Sequence, residues 1–127
     1  MTAAVALLEV GTGEGAAIAS QHADAVDADG RFPREAVDAM RAEKLLSIQI
    51  PADLGGEGAS MTEIAELCSI LGQACAASAM VFAMHQIKLS SLVEHGAESD
   101  WHRDFMRRIA REQLLLASAT TEGGIGG

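Results

Sequence analysis

Apolar positions recur at helical spacing through most of this chain, and one stretch sets the pattern for the rest. From Ala77 to His95 it reads Ala-Ser-Ala-Met-Val-Phe-Ala-Met-His-Gln-Ile-Lys-Leu-Ser-Ser-Leu-Val-Glu-His. Up to Met84 the apolar residues lie on every side, and from His85 polar residues occupy part of the circumference. This predicts a central helix, buried over its first half and surfacing toward its end. Ser78 is its expected N-cap and Gly96 the residue just past its end. Met80, Phe82 and Met84 are expected in the core, and His85 as a hydrogen-bonded core histidine.

The other elements pack around that helix. A helix is predicted over Glu14–Asp29 with Ala17, Ile18, Ala25 and Val26 inward, closed by Gly30. Pro33 suits the first position of the next, which runs to about Lys44 with Ala36, Val37 and Met40 on its apolar face. Leu45–Ile50 reads as an extended apolar connector, because Pro51 disfavours a helical residue before it. Asp53–Gly58 is a loop. Thr62 is the expected cap of a helix to about Ala76, with Ile64, Ala65, Leu67, Cys68 and Leu71 facing in. Ser99 caps a last helix, whose early Asp100 and late Arg107, Arg108 and Arg111 complement its dipole. Leu114–Thr121 starts an extended segment and Gly123–Gly127 forms a glycine loop. The expected fold class is all-α, a bundle of about five to six helices around a central buried helix, ending at the start of a β-domain strand. Its expected divisions are a flexible lead-in over 1–13, a helical domain over 14–113, and 114–127 leading into a β-domain beyond.

Composition narrows the function. A chain of 127 residues is one domain by length, and 49% apolar residues exclude disorder. Aromatics are only 3%, so Ala, Leu, Ile, Val and Met must fill the core. A net charge of −9 argues against nucleic acid and against anionic membranes. Cys68 and Cys75 stand seven residues apart on what reads as one helix, too far for a disulfide within it, so reduced thiols and a cytoplasmic location are expected. The Ala3–Leu8 run is too short to span a membrane. His95 and His102 have no metal-ligand spacing to any partner, and no metal is expected.

The N-terminus carries a decoy. An apolar run leads into Gly11-x-Gly13-x-Gly15, like the first motif of methyltransferases that use S-adenosylmethionine. The second strand and acid such a fold needs are absent downstream, where Gln21–Gly30 is polar and helix-like. Gly11–Gly15 is therefore read as flexible.

Four separated signals stand in order: Arg31-Phe-Pro-Arg-Glu35 before a helix, Ile50-Pro-Ala-Asp-Leu-Gly-Gly-Glu-Gly58, the long helix ending at His95-Gly96, and Ala119-Thr-Thr-Glu-Gly-Gly-Ile-Gly-Gly127. Together they resemble the N-terminal helical domain of the acyl-CoA dehydrogenase family, over roughly Glu14 to Gly127. The resemblance implies FAD as cofactor, an acyl-CoA or similar small-molecule substrate, further domains beyond this one, and a homo-oligomer at full length. Members remove hydrogens from the α and β carbons of an acyl thioester, with a glutamate base that in most of them lies in the C-terminal bundle. No catalytic residue is accordingly expected in this chain.

The resemblance also assigns site residues. Ser118, Thr120 and Thr121 fall where the family's strand passes the flavin, and Gly126 and Gly127 where backbone approaches a phosphate or the substrate. Glu122 belongs to the strand-end motif, with a structural role. Ala79, Ala83 and Ile87 share one face of the central helix, the face that lines the acyl chamber in the family; tight helix packing through small residues is the alternative. Gly123 and Gly127 replace the proline and serine of most members, as in a branch that includes flavin monooxygenases of the same fold. A monooxygenase is the first alternative, and a helical interaction module without chemistry the second. Alone, the chain is expected to hold neither FAD nor activity, and to self-associate.

Overall fold

The computed structural model describes residues 3–119 and 123–124, with side chains from Gly13 onward. Five α-helices follow one another: α1 Ala3–Asp29, α2 Arg34–Ala42, α3 Met61–Ala74, α4 Ala76–His95 and α5 Asp100–Glu112. Single 3₁₀ turns at Leu45–Ser47 and Ala52–Leu54 lie between α2 and α3. No strand occurs among the described residues, and the fold is all-α as expected.

The helix ends show local chemistry at work. Gly30 leaves α1 at φ +57°, the left-handed conformation that suits a helix stop. Pro33 precedes α2, with Glu35 in its first turn and Arg41 in its last. Ser60, not Thr62, caps α3. Its hydroxyl accepts the Glu63 N–H while the Glu63 carboxylate accepts the Ser60 N–H, a reciprocal capping box. The Ser-x-x-Glu spacing at 60–63 encodes this, and Thr62 has no glutamate three residues on.

Several expectations are corrected. α1 runs through Gly11, Gly13 and Gly15, where a flexible segment was expected. Within it Ala17 and Ala25 point to solvent, whereas Gly15, Ala19 and Val26 face in. The glycine at 15 is used for close approach, since its N–H donates to the Glu43 carboxylate at 3.1 Å. Leu45–Ile50 is not extended: it folds as a 3₁₀ turn and a further turn, with all six residues buried. Pro51 constrains only the residue directly before it, leaving Leu45–Ser47 free to coil. Ala65 of α3 is exposed.

The central helix is also rotated from the expectation. Cys75, extended at φ −159°, separates α3 from α4, so the two cysteines do not share a helix; both are free. Ser78 lies inside α4 and is buried, and its hydroxyl caps nothing. Gly96 is right-handed at φ −90°. It is needed for space instead, because a Cβ there would meet the Leu92 carbonyl oxygen at 2.5 Å. Phe82 is fully buried as expected, but Met80 and Met84 are exposed.

Two apolar clusters hold the fold. The first joins α1 to α4 through Ala19, Met40, Leu46, Leu67, Leu71 and Phe82. The second lies under α5 and gathers Ile50, Leu54, Leu89, Met106 and Ile109. After α5 the chain turns at Gln113, itself left-handed at φ 50°, and residues 114–119 form an exit strap across the seam between the clusters. Leu115 packs on the first cluster, Leu114 and Leu116 on the second, the alternation of an extended chain.

Candidate functional site

The chemistry-bearing side chains gather where α4 meets the 45–50 turns and the exit strap. Helix α4 buries Ser78, Phe82, His85, Gln86 and Leu89, one stripe at helical spacing. His85 and Gln86 are fully enclosed, and each bonds the connector. The His85 Nε2–H donates to the Leu46 carbonyl at 2.6 Å, and Gln86 Nε2 donates to the Leu45 carbonyl at 3.0 Å. Gln49 Nε2 in turn donates to the Gln86 side-chain oxygen at 2.7 Å. At the strap, Gln113 Nε2 donates to Ser47 Oγ at 2.7 Å, and the Leu116 N–H donates to His85 Nδ1 at 3.0 Å.

A polar seam thus runs through the apolar core from connector to helix to strap. Such a seam is stable only when its groups are paired. His85 is held neutral: burial pushes its pKa below the usual histidine value, and the Leu46 carbonyl opposes this only in part. Ser47, Gln49, Gln86 and Gln113 were missed in the sequence. The signal for Gln49 was a polar residue inside the apolar run 45–50, and for Gln86 a polar pair inside an apolar helix.

The opposite side of α4 is open and apolar. Met80, Met84 and Ile87 are 62%, 40% and 56% exposed, spaced at i, i+4 and i+7. At its end a shallow groove of about 340 Å³ is lined by Met61, Ile87, Ser90, Ser91, Glu94 and His95.

Among the expected acyl-lining residues, Ala79 packs on the first cluster toward Gly72 of α3, Ala83 is half-buried, and Ile87 lies in the open groove. One helix face therefore grades from helix packing to solvent. Of the expected flavin contacts, Ser118 is exposed on the strap. Thr120, Thr121, Gly126 and Gly127 lie outside the described residues, as does Glu122. The backbone of Ala117–Ala119 makes no hydrogen bond to another described residue. His95 is exposed at the end of α4 and His102 half-buried on α5. Among the described residues no group of three or more His, Cys, Asp or Glu side chains could hold a metal ion. No helix of the described residues is long and apolar enough to cross a membrane.

Several charged groups elsewhere pair at the surface. Arg31 forms a two-pronged contact with Glu35 at 2.9 and 3.0 Å and holds that carboxyl down at about 2. Glu43 goes the other way, its pKa raised by burial against the partial relief of the Gly15 N–H.

The family described as "Acyl-CoA dehydrogenase, N-terminal domain" matches residues 16–123. A probable acyl-CoA dehydrogenase of Mycobacterium leprae is 26% identical over 101 residues, covering 80% of this chain and 26% of that protein. A cyclohex-1-ene-1-carbonyl-CoA dehydrogenase of Syntrophus aciditrophicus is 28% identical over 101 residues, covering 80% and 24%. A 3-sulfinopropanoyl-CoA desulfinase of Paraburkholderia xenovorans is 25% identical over 79 residues, covering 61% and 20%. No solved structure matches. The chain spans about a quarter of the length of the first two of these relatives.

Proposed function

Because the chain belongs to the acyl-CoA dehydrogenase family as its N-terminal domain, we propose that it forms one wall of the flavin and acyl cavity of an FAD-dependent oxidoreductase acting on an acyl thioester. The observation that carries this reading is the exit strap. It is anchored at Leu116 and then runs exposed through Ala117–Ala119 with amides and carbonyls that bond no other described residue. Exposed backbone with no partner among the described residues suits the polar edge of a buried ring, whose nitrogens and oxygens must be hydrogen-bonded. Ser118, Thr120, Thr121, Gly126 and Gly127 would hold the cofactor. The chemistry FAD supplies when bound is acceptance of a hydride from the β carbon of the acyl group.

This chain's own residues bind and orient. Ala83 and Ile87 would border the acyl group, with Ala79 setting the distance between α3 and α4 behind them. The open Met80–Met84–Ile87 face supports cover by other parts of the full-length protein, a homo-oligomer in this reading. The names of the relatives include a desulfinase beside the dehydrogenases. Dehydrogenation of the α and β carbons is the preferred reaction, and a monooxygenase is the alternative that the glycines at 123 and 127 favour. The test is Ala83→Phe in the full-length protein. Substrate preference should move toward shorter acyl groups; unchanged selectivity with lowered stability would remove Ala83 from the pocket.

A further inference from the structure

We propose that His85 is a positioning residue: its imidazole, through Nδ1, fixes the exit strap at Leu116 and so sets where Ala117–Ala119 meets the flavin. The flavin part rests on the function proposed above; the latch itself rests on geometry alone.

Both ring nitrogens of His85 are committed. The Leu46 carbonyl, 2.6 Å from Nε2, can only accept, so Nε2 carries the proton. Nδ1 is then a lone pair, and it accepts the Leu116 N–H at 3.0 Å. Among described residues this is the only hydrogen bond made by the backbone of 114–119. Protonation of the ring would set an N–H against an N–H and release the strap. Ring orientation comes from the connector, since Gln86 holds the Leu45 carbonyl beside it.

No charged group competes for the ring. Arg41 of α2 turns to the Gln113 carbonyl and Glu43 to the Gly15 N–H. Lys44 before the connector is exposed, Lys88 of α4 is half-buried, and Glu63 of α3 accepts from the Ser60 cap. On α1, His22 faces Glu35, and Asp24 and Asp27 are exposed. The other members of the seam, Ser47, Gln49, Gln86 and Gln113, carry no charge, so burial favours the neutral form.

Two substitutions separate the ring's two bonds. In His85→Gln the amide lies near Nε2 and keeps a donor for Leu46 but offers nothing to Leu116. In His85→Asn the amide oxygen lies near Nδ1 and keeps the acceptor while losing the bond to Leu46. Amide hydrogen exchange on this chain reads the latch. At neutral pH Leu116 should exchange roughly tenfold faster in His85→Gln, about the factor one net hydrogen bond gives, and stay near wild type in His85→Asn. In the wild type its protection should fall as pH drops below 6.5, in step with the ring ¹⁵N shifts. Ring shifts that place the proton on Nδ1 at neutral pH would overturn the proposal, as would unchanged Leu116 exchange in a folded His85→Gln variant. In the FAD-loaded full-length protein, His85→Gln should weaken FAD binding and shift the flavin absorption band while His85→Asn does not. A released Leu116 with an unchanged flavin spectrum would overturn the positioning role. Failure of the wild-type full-length protein to take up FAD would overturn the functional reading instead.

Discussion

Gly56 is the position where one methyl group should do the most harm. A Cβ there would lie 2.0 Å from the Ile50 carbonyl oxygen and 2.6 Å from the Ile50 carbonyl carbon, where 3.4 Å is ordinary contact. The obstacle is backbone, so no rotamer change relieves it. Ile50 is fully buried in the second cluster, and its carbonyl accepts the Gly58 N–H at 2.9 Å. Moving that carbonyl loses a hydrogen bond, about 0.5–1.5 kcal/mol, and forces repacking of Ile50 against Leu54, about 1–3 kcal/mol. Gly56→Ala should therefore destabilise by about 2–4 kcal/mol, a fall in Tm on the order of 10 °C for a chain of this size. The control is Gly58→Ala. Gly58 has φ +67° and open space around its Cβ position, so only the left-handed conformation is penalised, at about 1 kcal/mol. Thermal and urea unfolding followed by circular dichroism measure both. A Gly56→Ala protein as stable as Gly58→Ala would mean that the loop yields freely, and the close-approach argument would fail.

Phe82→Ala should cost about 3–5 kcal/mol, since the ring is fully buried among all of the first four helices' contacts; urea unfolding measures it. Ser60→Ala should cost about 1 kcal/mol and speed amide exchange in the first turn of α3. His85 contributes a pH dependence whose sign is fixed: the folded pKa is depressed from 6.5, so stability is full above that value and is lost as pH falls below it, with a slope up to about 1.4 kcal/mol per pH unit. His85→Gln should remove that slope in a urea-midpoint series. Glu35 should titrate near 2 by carboxyl NMR and return upward in Arg31→Ala, whereas a wild-type value in the ordinary range would dismiss the pairing. The chain alone should not bind FAD, because three or four hydrogen bonds of about 0.5–1.5 kcal/mol do not offset an association cost of about 4–15 kcal/mol; stoichiometric binding at micromolar concentration would contradict this.

The helices were legible because their apolar spacing and end signals are local. Gly30, Pro33 and Ser99 mark boundaries within a residue or so of those observed. The rotation of α4 was not legible. A helix apolar on all sides gives no periodic cue to which side faces the core, so Met80 and Met84 looked as buried as Phe82. The connector failed for a related reason, since six apolar residues in a row suit a buried turn as well as an extended chain. His85 as a paired core histidine was readable from its place in the apolar helix. Its partner Leu116, 31 residues away, was not, because the strap's path depends on tertiary packing.

The open side of α4 has a chemical consequence. Met61, Met80 and Met84 expose 57%, 62% and 40% of their surface, while Met40 and Met106 are sealed at 0% and 1%. Exposed thioethers take up one oxygen to become sulfoxides, which turns a greasy side chain polar. A brief peroxide pulse should mark those three methionines first and leave the sealed pair untouched. Peptide mass spectrometry would then register how much of the face is covered. In the function proposed above, where other parts of the full-length protein cover this face, oxidation before assembly should weaken assembly, and oxidation afterward should find little to attack.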